Sequence, residues 1–259
     1  MHGKRMVIAM FGLLFVTYFS ACSGGGDTPT PSPTALPAAS AEGIWTGTID
    51  TNRTVKALVL DDGTYWLLYY SAIGTPSSVL GFIQGDSTSQ NGVFSSSNAK
   101  DFNPDRLGLR NAEIDGTYTT KKLFDGTIVY PGVIQNTNFF KTQYNHEYDS
   151  APDINTIVGT YVGPVAANET VDVTVSPTGA ISGESRTSPK CIFTGSATPR
   201  VQGNVFDVTI TFGPQDTCSN KSTTVRGVAF YDAGTKRLYS AALNDDKTNG
   251  VILIGTKQP

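Results

Sequence analysis

Few side chains in this sequence are equipped for chemistry, and their spacing excludes several kinds of it. His146 is one of two histidines, the other being His2 at the amino terminus. No second histidine follows His146-Glu147 at the spacing of a zinc-binding helix, and a single imidazole cannot build an ordinary zinc site. A Ser-His-Asp triad would also need a Gly-x-Ser-x-Gly turn, which the chain lacks. The five glutamates, at 42, 113, 147, 169 and 184, form no pair at a spacing suited to acid-base catalysis. Asn244 to Gly250 offers oxygen ligands but includes Lys247 and no bidentate glutamate, so a solvated hairpin is expected there rather than calcium. No catalytic residue, metal or cofactor is assigned, and a non-enzymatic role is expected.

The most informative local segment is instead aromatic: Thr64-Tyr65-Trp66-Leu67-Leu68-Tyr69-Tyr70. In a strand, Tyr65, Leu67 and Tyr69 fall on one face and Trp66, Leu68 and Tyr70 on the other. Both faces are apolar, so one must line a core while the other is covered or serves as a contact surface. Tyr65, Trp66, Leu68, Tyr69 and Tyr70 are therefore the candidate partner or ligand surface. Either the outer face packs against another part of the chain, or it stays exposed for a partner.

The elements that hold this strip occur twice. Gly43, Trp45, Gly47, Asn52, Thr54, Val55, Val59 and Gly63 have like counterparts 116 positions on, at Gly159, Tyr161, Gly163, Asn168, Thr170, Val171, Val175 and Gly179. A constant offset over eight ungapped positions marks a duplicated module. The segment matching the aromatic strip reads Ala180-Ile181-Ser182-Gly183-Glu184-Ser185, so only the first copy carries the second apolar face. Trp45 and Tyr161 are expected to be core aromatics between glycines that let strands approach closely.

Both copies read as strands and turns, with no helical apolar period over a dozen residues. The first has strand-like runs at 44–49, 54–60, 64–70, 79–84, 92–95, 112–119, 123–130 and 137–142. The second has them at 157–165, 171–176, 180–185, 191–197, 205–212, 223–231, 237–242 and 250–257. Connectors such as Asp61-Asp62-Gly63, Asn91-Gly92 and Pro177-Thr178-Gly179 carry hairpin chemistry. The fold expected is all-β: two tandem antiparallel eight-stranded up-and-down barrels, residues 42–150 and 151–259, which leave no open edge. Greek-key sandwiches are the alternative. His146 falls in the linker between the modules, and the Asn52-x-Thr54 and Asn168-x-Thr170 sequons are read as turns.

Ahead of the modules lies a targeting segment. Lys4 and Arg5 precede an uncharged apolar run from Met6 to Phe19, whose helical length of about 21 Å falls short of a hydrocarbon core of roughly 30 Å. Phe19-Ser20-Ala21-Cys22 resembles the lipobox of bacterial lipoprotein precursors, with Phe19 where that family usually has leucine. The resemblance implies removal of residues 1–21 and lipidation of Cys22. Two or three acyl chains anchor a protein stably where one does not. Ser23, in place of a retention aspartate, is similar to outer-membrane sorting in Gram-negative bacteria. Residues 22–41, rich in Gly, Pro, Ser and Thr, read as a disordered tether.

With Cys22 given to lipid, Cys191 and Cys218 form an even pair in an exported, oxidising setting and are expected to make a disulfide. Loss of Lys4 and Arg5 leaves 17 basic residues against 22 acidic ones, a net charge of −5 with no basic block. No nucleic-acid footprint is visible. Tandem barrels behind a lipidated cysteine and a flexible tether resemble, in layout alone, the factor-H-binding and transferrin-binding-B surface lipoproteins. Gly43-Ile44-Trp45 is similar to the Gly-x-Trp of lipocalins. The expected role is a membrane-tethered, non-enzymatic binding or scaffold module of the cell envelope with a protein partner. A carrier of a small apolar ligand is the second expectation, and an envelope hydrolase the third.

Overall fold

Glycines repeated in the two copies do the same backbone work in both. Gly63 and Gly179 sit at φ of 84° and 78°, the left-handed region that hairpin turns require. Gly47 and Gly163 let a neighbouring strand approach. A Cβ on them would lie 1.9 Å from the Lys141 carbonyl and 2.2 Å from that of Ile254, respectively. The duplication extends to hydrogen bonds. Trp45 Nε1 donates to the Ala41 carbonyl at 2.8 Å, and Tyr161 Oη donates to the Ile157 carbonyl at 2.9 Å, four residues back in each case.

The computed structural model describes residues 40–51, 53–71, 79–103, 108–132, 137–165 and 169–259. The signal segment, Cys22, the tether as far as residue 39, and the sequon asparagines Asn52 and Asn168 lie outside the described residues. Among the described residues, no helix is long and apolar enough to cross a membrane.

The first module contains β1 (Gly43–Ile49), β2 (Arg53–Val59), β3 (Thr64–Tyr70), β4 (Val79–Asp86), β5 (Thr88–Gln90), β6 (Val93–Asn103), β7 (Gly108–Thr119), β8 (Leu123–Val129) and β9 (Thr137–Asn145). Apart from β4 and β5, consecutive strands pair antiparallel, β1 pairs β9, and β4 pairs β6 through Phe82 and Phe102, which closes a ring of eight. The short β5 pairs with the start of β6 and stands outside that ring. A 3-10 turn (His146–Asp149) follows, capped by the Asn145 side chain, and then α1 (Ile154–Ile157).

The second module contains β10 (Gly159–Pro164), β11 (Thr170–Val175), β12 (Ala180–Ser185), β13 (Ile192–Pro199), β14 (Phe206–Phe212), β15 (Thr224–Asp232), β16 (Arg237–Leu243) and β17 (Gly250–Lys257). They close in sequence order, with β10 against β17. The chain therefore folds as two tandem, closed, eight-stranded antiparallel barrels. Three local expectations differ. β6 runs on to Asn103, well past residue 95, and β7 begins at Gly108, because pairing with neighbours sustains a strand through polar residues of low β-propensity. Ile157 ends a helical turn, so β10 starts at Gly159.

The two faces of β3 go to different cores. Tyr65, Leu67 and Tyr69 fill the first barrel, where Tyr65 packs on Phe94 and Phe94 on Phe124, at ring distances of 5.3 and 4.9 Å. Trp66 and Leu68 face outward, yet are 5% and 1% exposed, because the second barrel covers them. Their apolar cluster also takes in Phe230, Tyr239, Leu243 and Ile252 from β15 to β17. Tyr70 meets Tyr239 at 6.2 Å. Within this interface Lys56 Nζ lies 2.5 Å from Asp232 Oδ2 and 4.7 Å from the centre of the Tyr239 ring. At its rim Arg200 bonds Asp61 at 2.9 Å, and Glu147 accepts from the Ala233 amide at 3.0 Å.

Candidate ligand cavity

The two barrels share a backbone plan but not an interior. At the 116-residue offset, Tyr65, Leu67 and Tyr69 of the first correspond to Ile181, Gly183 and Ser185 of the second. All six face inward on equivalent strands, β3 and β12. Exchange of two tyrosines and a leucine for smaller groups removes the material that fills the first barrel. The result is a cavity of about 490 Å³ inside the second.

Its walls are strand residues at alternate positions, as the period of a β-strand dictates. Val171, Val173 and Val175 face it from β11, with Phe193 from β13. Ile210 and Phe212 of β14 and Val251 and Leu253 of β17 also line it and are only half-buried, although they point inward. An inward apolar side chain with surface still open to water is what an unfilled barrel produces. The aliphatic and aromatic wall offers burial worth about 25 cal/mol per Å² of apolar ligand surface removed from water.

The two ends differ. At one, Ile157 of α1 and Tyr161 are 1% and 0% exposed and close the floor. The opposite end carries the last residues of β10, β12, β14 and β16 and the first residues of β11, β13, β15 and β17. Here the lining becomes polar: Glu169, Ser185, Thr217, Ser219, Asn220 and Asn249. Thr217 and Ser219 are exposed, so the cavity reaches the surface at this end.

Cys191 and Cys218 form a disulfide with Cα atoms 4.9 Å apart. It fastens the long β14–β15 connection to the start of β13, beside the polar rim. Ser185 Oγ accepts from the Cys191 amide at 2.9 Å. Glu169 Oε1 accepts from the Thr187 amide and hydroxyl at 3.3 and 3.0 Å and from the Thr170 amide at 3.1 Å.

No family model matches this chain, and no curated protein does. The site is therefore read from its own geometry.

Elsewhere, the first barrel buries a charge-bearing group. Asp101, 3% exposed, accepts from Tyr69 Oη at 2.6 Å and Tyr130 Oη at 2.8 Å. Burial pushes its carboxyl above the usual range, against the two tyrosine hydroxyls and the charges of Arg110 and Arg53. The tyrosine hydroxyls are in turn raised, first by burial and then by the Asp101 charge. A polar cleft of about 270 Å³ lies at the junction of the barrels, lined by Glu42, Lys121, Tyr148 and Asp149 among others. Partial burial opposes ionisation of Asp149, but bonds from Lys121, Tyr144 and His146 outweigh it and hold its pKa at about 2. His146 itself is exposed, its Nδ1 3.1 Å from Asp149. Among the described residues no group of three His, Cys, Asp or Glu could hold a metal ion.

Of the strip named from sequence, Tyr65 and Tyr69 lie inside the first barrel and Trp66, Leu68 and Tyr70 against the second. They are not brought to the cavity. The cavity residues went unselected because each is an ordinary small or branched apolar residue of a strand. The signal that marks them is comparative: bulky inward residues in one copy against Ile181, Gly183 and Ser185 in the other.

Proposed function

We propose that this chain is a cell-envelope lipoprotein, tethered through Cys22, whose second barrel holds a small apolar molecule. The observation that carries the proposal is the apolar cavity of about 490 Å³, within the 300 to 1,000 Å³ typical of small-molecule sites. The first barrel, filled by its own aromatics, acts as the scaffold on which the hollow one is mounted. The tether and outer-membrane address are supported by the lipobox resemblance at residues 19–22 and by Ser23. A protein partner docking on the β3 aromatics has less support, because the second barrel already covers Trp66 and Leu68. No reacting group is assigned, so the proposed role is carriage or sensing rather than turnover.

The test uses the Cys22→Ala chain, purified without detergent and titrated with the neutral fluorophore N-phenyl-1-naphthylamine. A saturable rise in emission with one site per chain is expected. A chain that leaves the emission of the dye unchanged at every concentration removes the carrier reading.

A further inference from the structure

The polar rim of the cavity says what kind of head group its occupant carries, given that the carrier reading holds. Asn220 is 4% exposed and lines the cavity. Its backbone carbonyl accepts from the Thr223 amide at 3.0 Å, while its carboxamide makes no hydrogen bond among the described residues. Its carboxamide atoms are not sealed off from the cavity, where the oxygen and nitrogen offer an acceptor and two donors. A ligand hydroxyl, carbonyl or amide would satisfy it.

Charge narrows the class. Glu169 is the only ionisable group of ordinary acid or base character among the described lining residues, and no Lys, Arg or His joins it. Of the cations nearest the rim in sequence, Arg186 pairs with Asp172, Lys190 with Glu184 and Lys221 with Asp216, while Lys247 is exposed on the β16–β17 connection and is not among the lining residues. A carboxylate or phosphate head would be desolvated beside a negative group, with no cation among the lining residues to offset it. Glu169 already accepts three hydrogen bonds on one oxygen, which fixes its carboxylate on the Thr170 and Thr187 side of the rim.

We propose that the second barrel selects an uncharged amphiphile: an apolar body with one neutral hydrogen-bonding head that pairs with Asn220, anions being turned away by Glu169. The cavity volume holds roughly 16 non-hydrogen atoms at about 30 Å³ each. A medium-chain alcohol matches that size and chemistry; the fatty acid of equal length matches the size alone.

The experiment is displacement of N-phenyl-1-naphthylamine from the Cys22→Ala chain at pH 8 by dodecan-1-ol, sodium dodecanoate and dodecylamine. The alcohol is expected to displace the dye at concentrations at least tenfold below those of dodecanoate. Asn220→Leu is expected to shrink that preference to under threefold, and Glu169→Gln, on a different element, to improve dodecanoate about fivefold. Circular dichroism of each variant shows whether it folds, and Glu169→Gln tests the charge argument even if Asn220→Leu does not. Equal displacement by alcohol and dodecanoate overturns the inference while leaving the carrier reading in place. Dodecylamine as the best of the three, with its advantage lost in Glu169→Gln, overturns it in favour of a cationic head. Failure of the dye itself to bind removes the carrier reading instead.

Discussion

Asp232→Asn leaves Lys56 buried without its counter-ion. The Lys56 and Asp232 side chains are 5% and 11% exposed and 2.5 Å apart. At an effective dielectric of about 20, that separation corresponds to an attraction of about 7 kcal/mol, most of it offset by the cost of taking both ions out of water. The pair as a whole is therefore worth little, while loss of one partner is expensive, typically about 3 to 5 kcal/mol. The Tyr239 face, 4.7 Å from the ammonium, returns about 1 to 2 kcal/mol of that. The expected destabilisation is about 1 to 4 kcal/mol. Urea unfolding followed by tryptophan emission reads it directly, since Trp66 lies in the same interface and urea, unlike guanidinium, adds no salt to screen the pair. The double replacement of Lys56 by Met and Asp232 by Leu should recover stability to within about 1 kcal/mol of wild type. A loss below 0.5 kcal/mol in Asp232→Asn, or a double variant no more stable than the single one, would refute this account of the interface.

Three further outcomes follow from the same structure. Replacing both Cys191 and Cys218 by Ala should cost the second barrel about 3 to 4 kcal/mol on the chain-entropy estimate for a 27-residue separation, seen as a lower melting temperature that reductant reproduces in wild type. For Asp101 the folded state holds its proton more tightly than the unfolded chain. Its contribution to stability therefore falls as pH rises from the unfolded value of about 3.9 through the raised folded value. Asp101→Asn should remove that decline, so urea midpoints between pH 4 and pH 8 should show the variant gaining on wild type as pH rises. Cys22→Ala should move the protein from the membrane to the soluble fraction on cell fractionation; wild type already in the soluble fraction ends the anchor proposal.

The barrel plan was legible because its devices are local. Gly63 and Gly179 declare a turn, and Val171 to Val175 alternate with the period of a strand, whatever lies around them. The disulfide was legible from the parity of the cysteines once Cys22 was set apart. Long-range relations were not. Lys56 and Asp232 are 176 positions apart, and nothing near either residue announces the other. β6 carries Asp101 inside a barrel, which local preference disfavours; the tyrosines that receive it come from β3 and from Tyr130 just beyond β8. The cavity lies between these cases. Ile181, Gly183 and Ser185 stood against Tyr65, Leu67 and Tyr69 in the aligned copies, but the contrast bore first on the outer face of β3. Closure of the ring in space turns it into an empty interior.

The central claim is that a hollow second barrel binds an apolar molecule where the filled first barrel does not. Ile210 faces the cavity and is half-buried, so Ile210→Trp places an indole in the ligand volume. Titration of the Cys22→Ala chain with N-phenyl-1-naphthylamine, with and without Ile210→Trp, tests the claim most directly. The account predicts one saturable site in the parent and at least tenfold weaker binding in the filled, still folded variant. Equal binding by the two would contradict it.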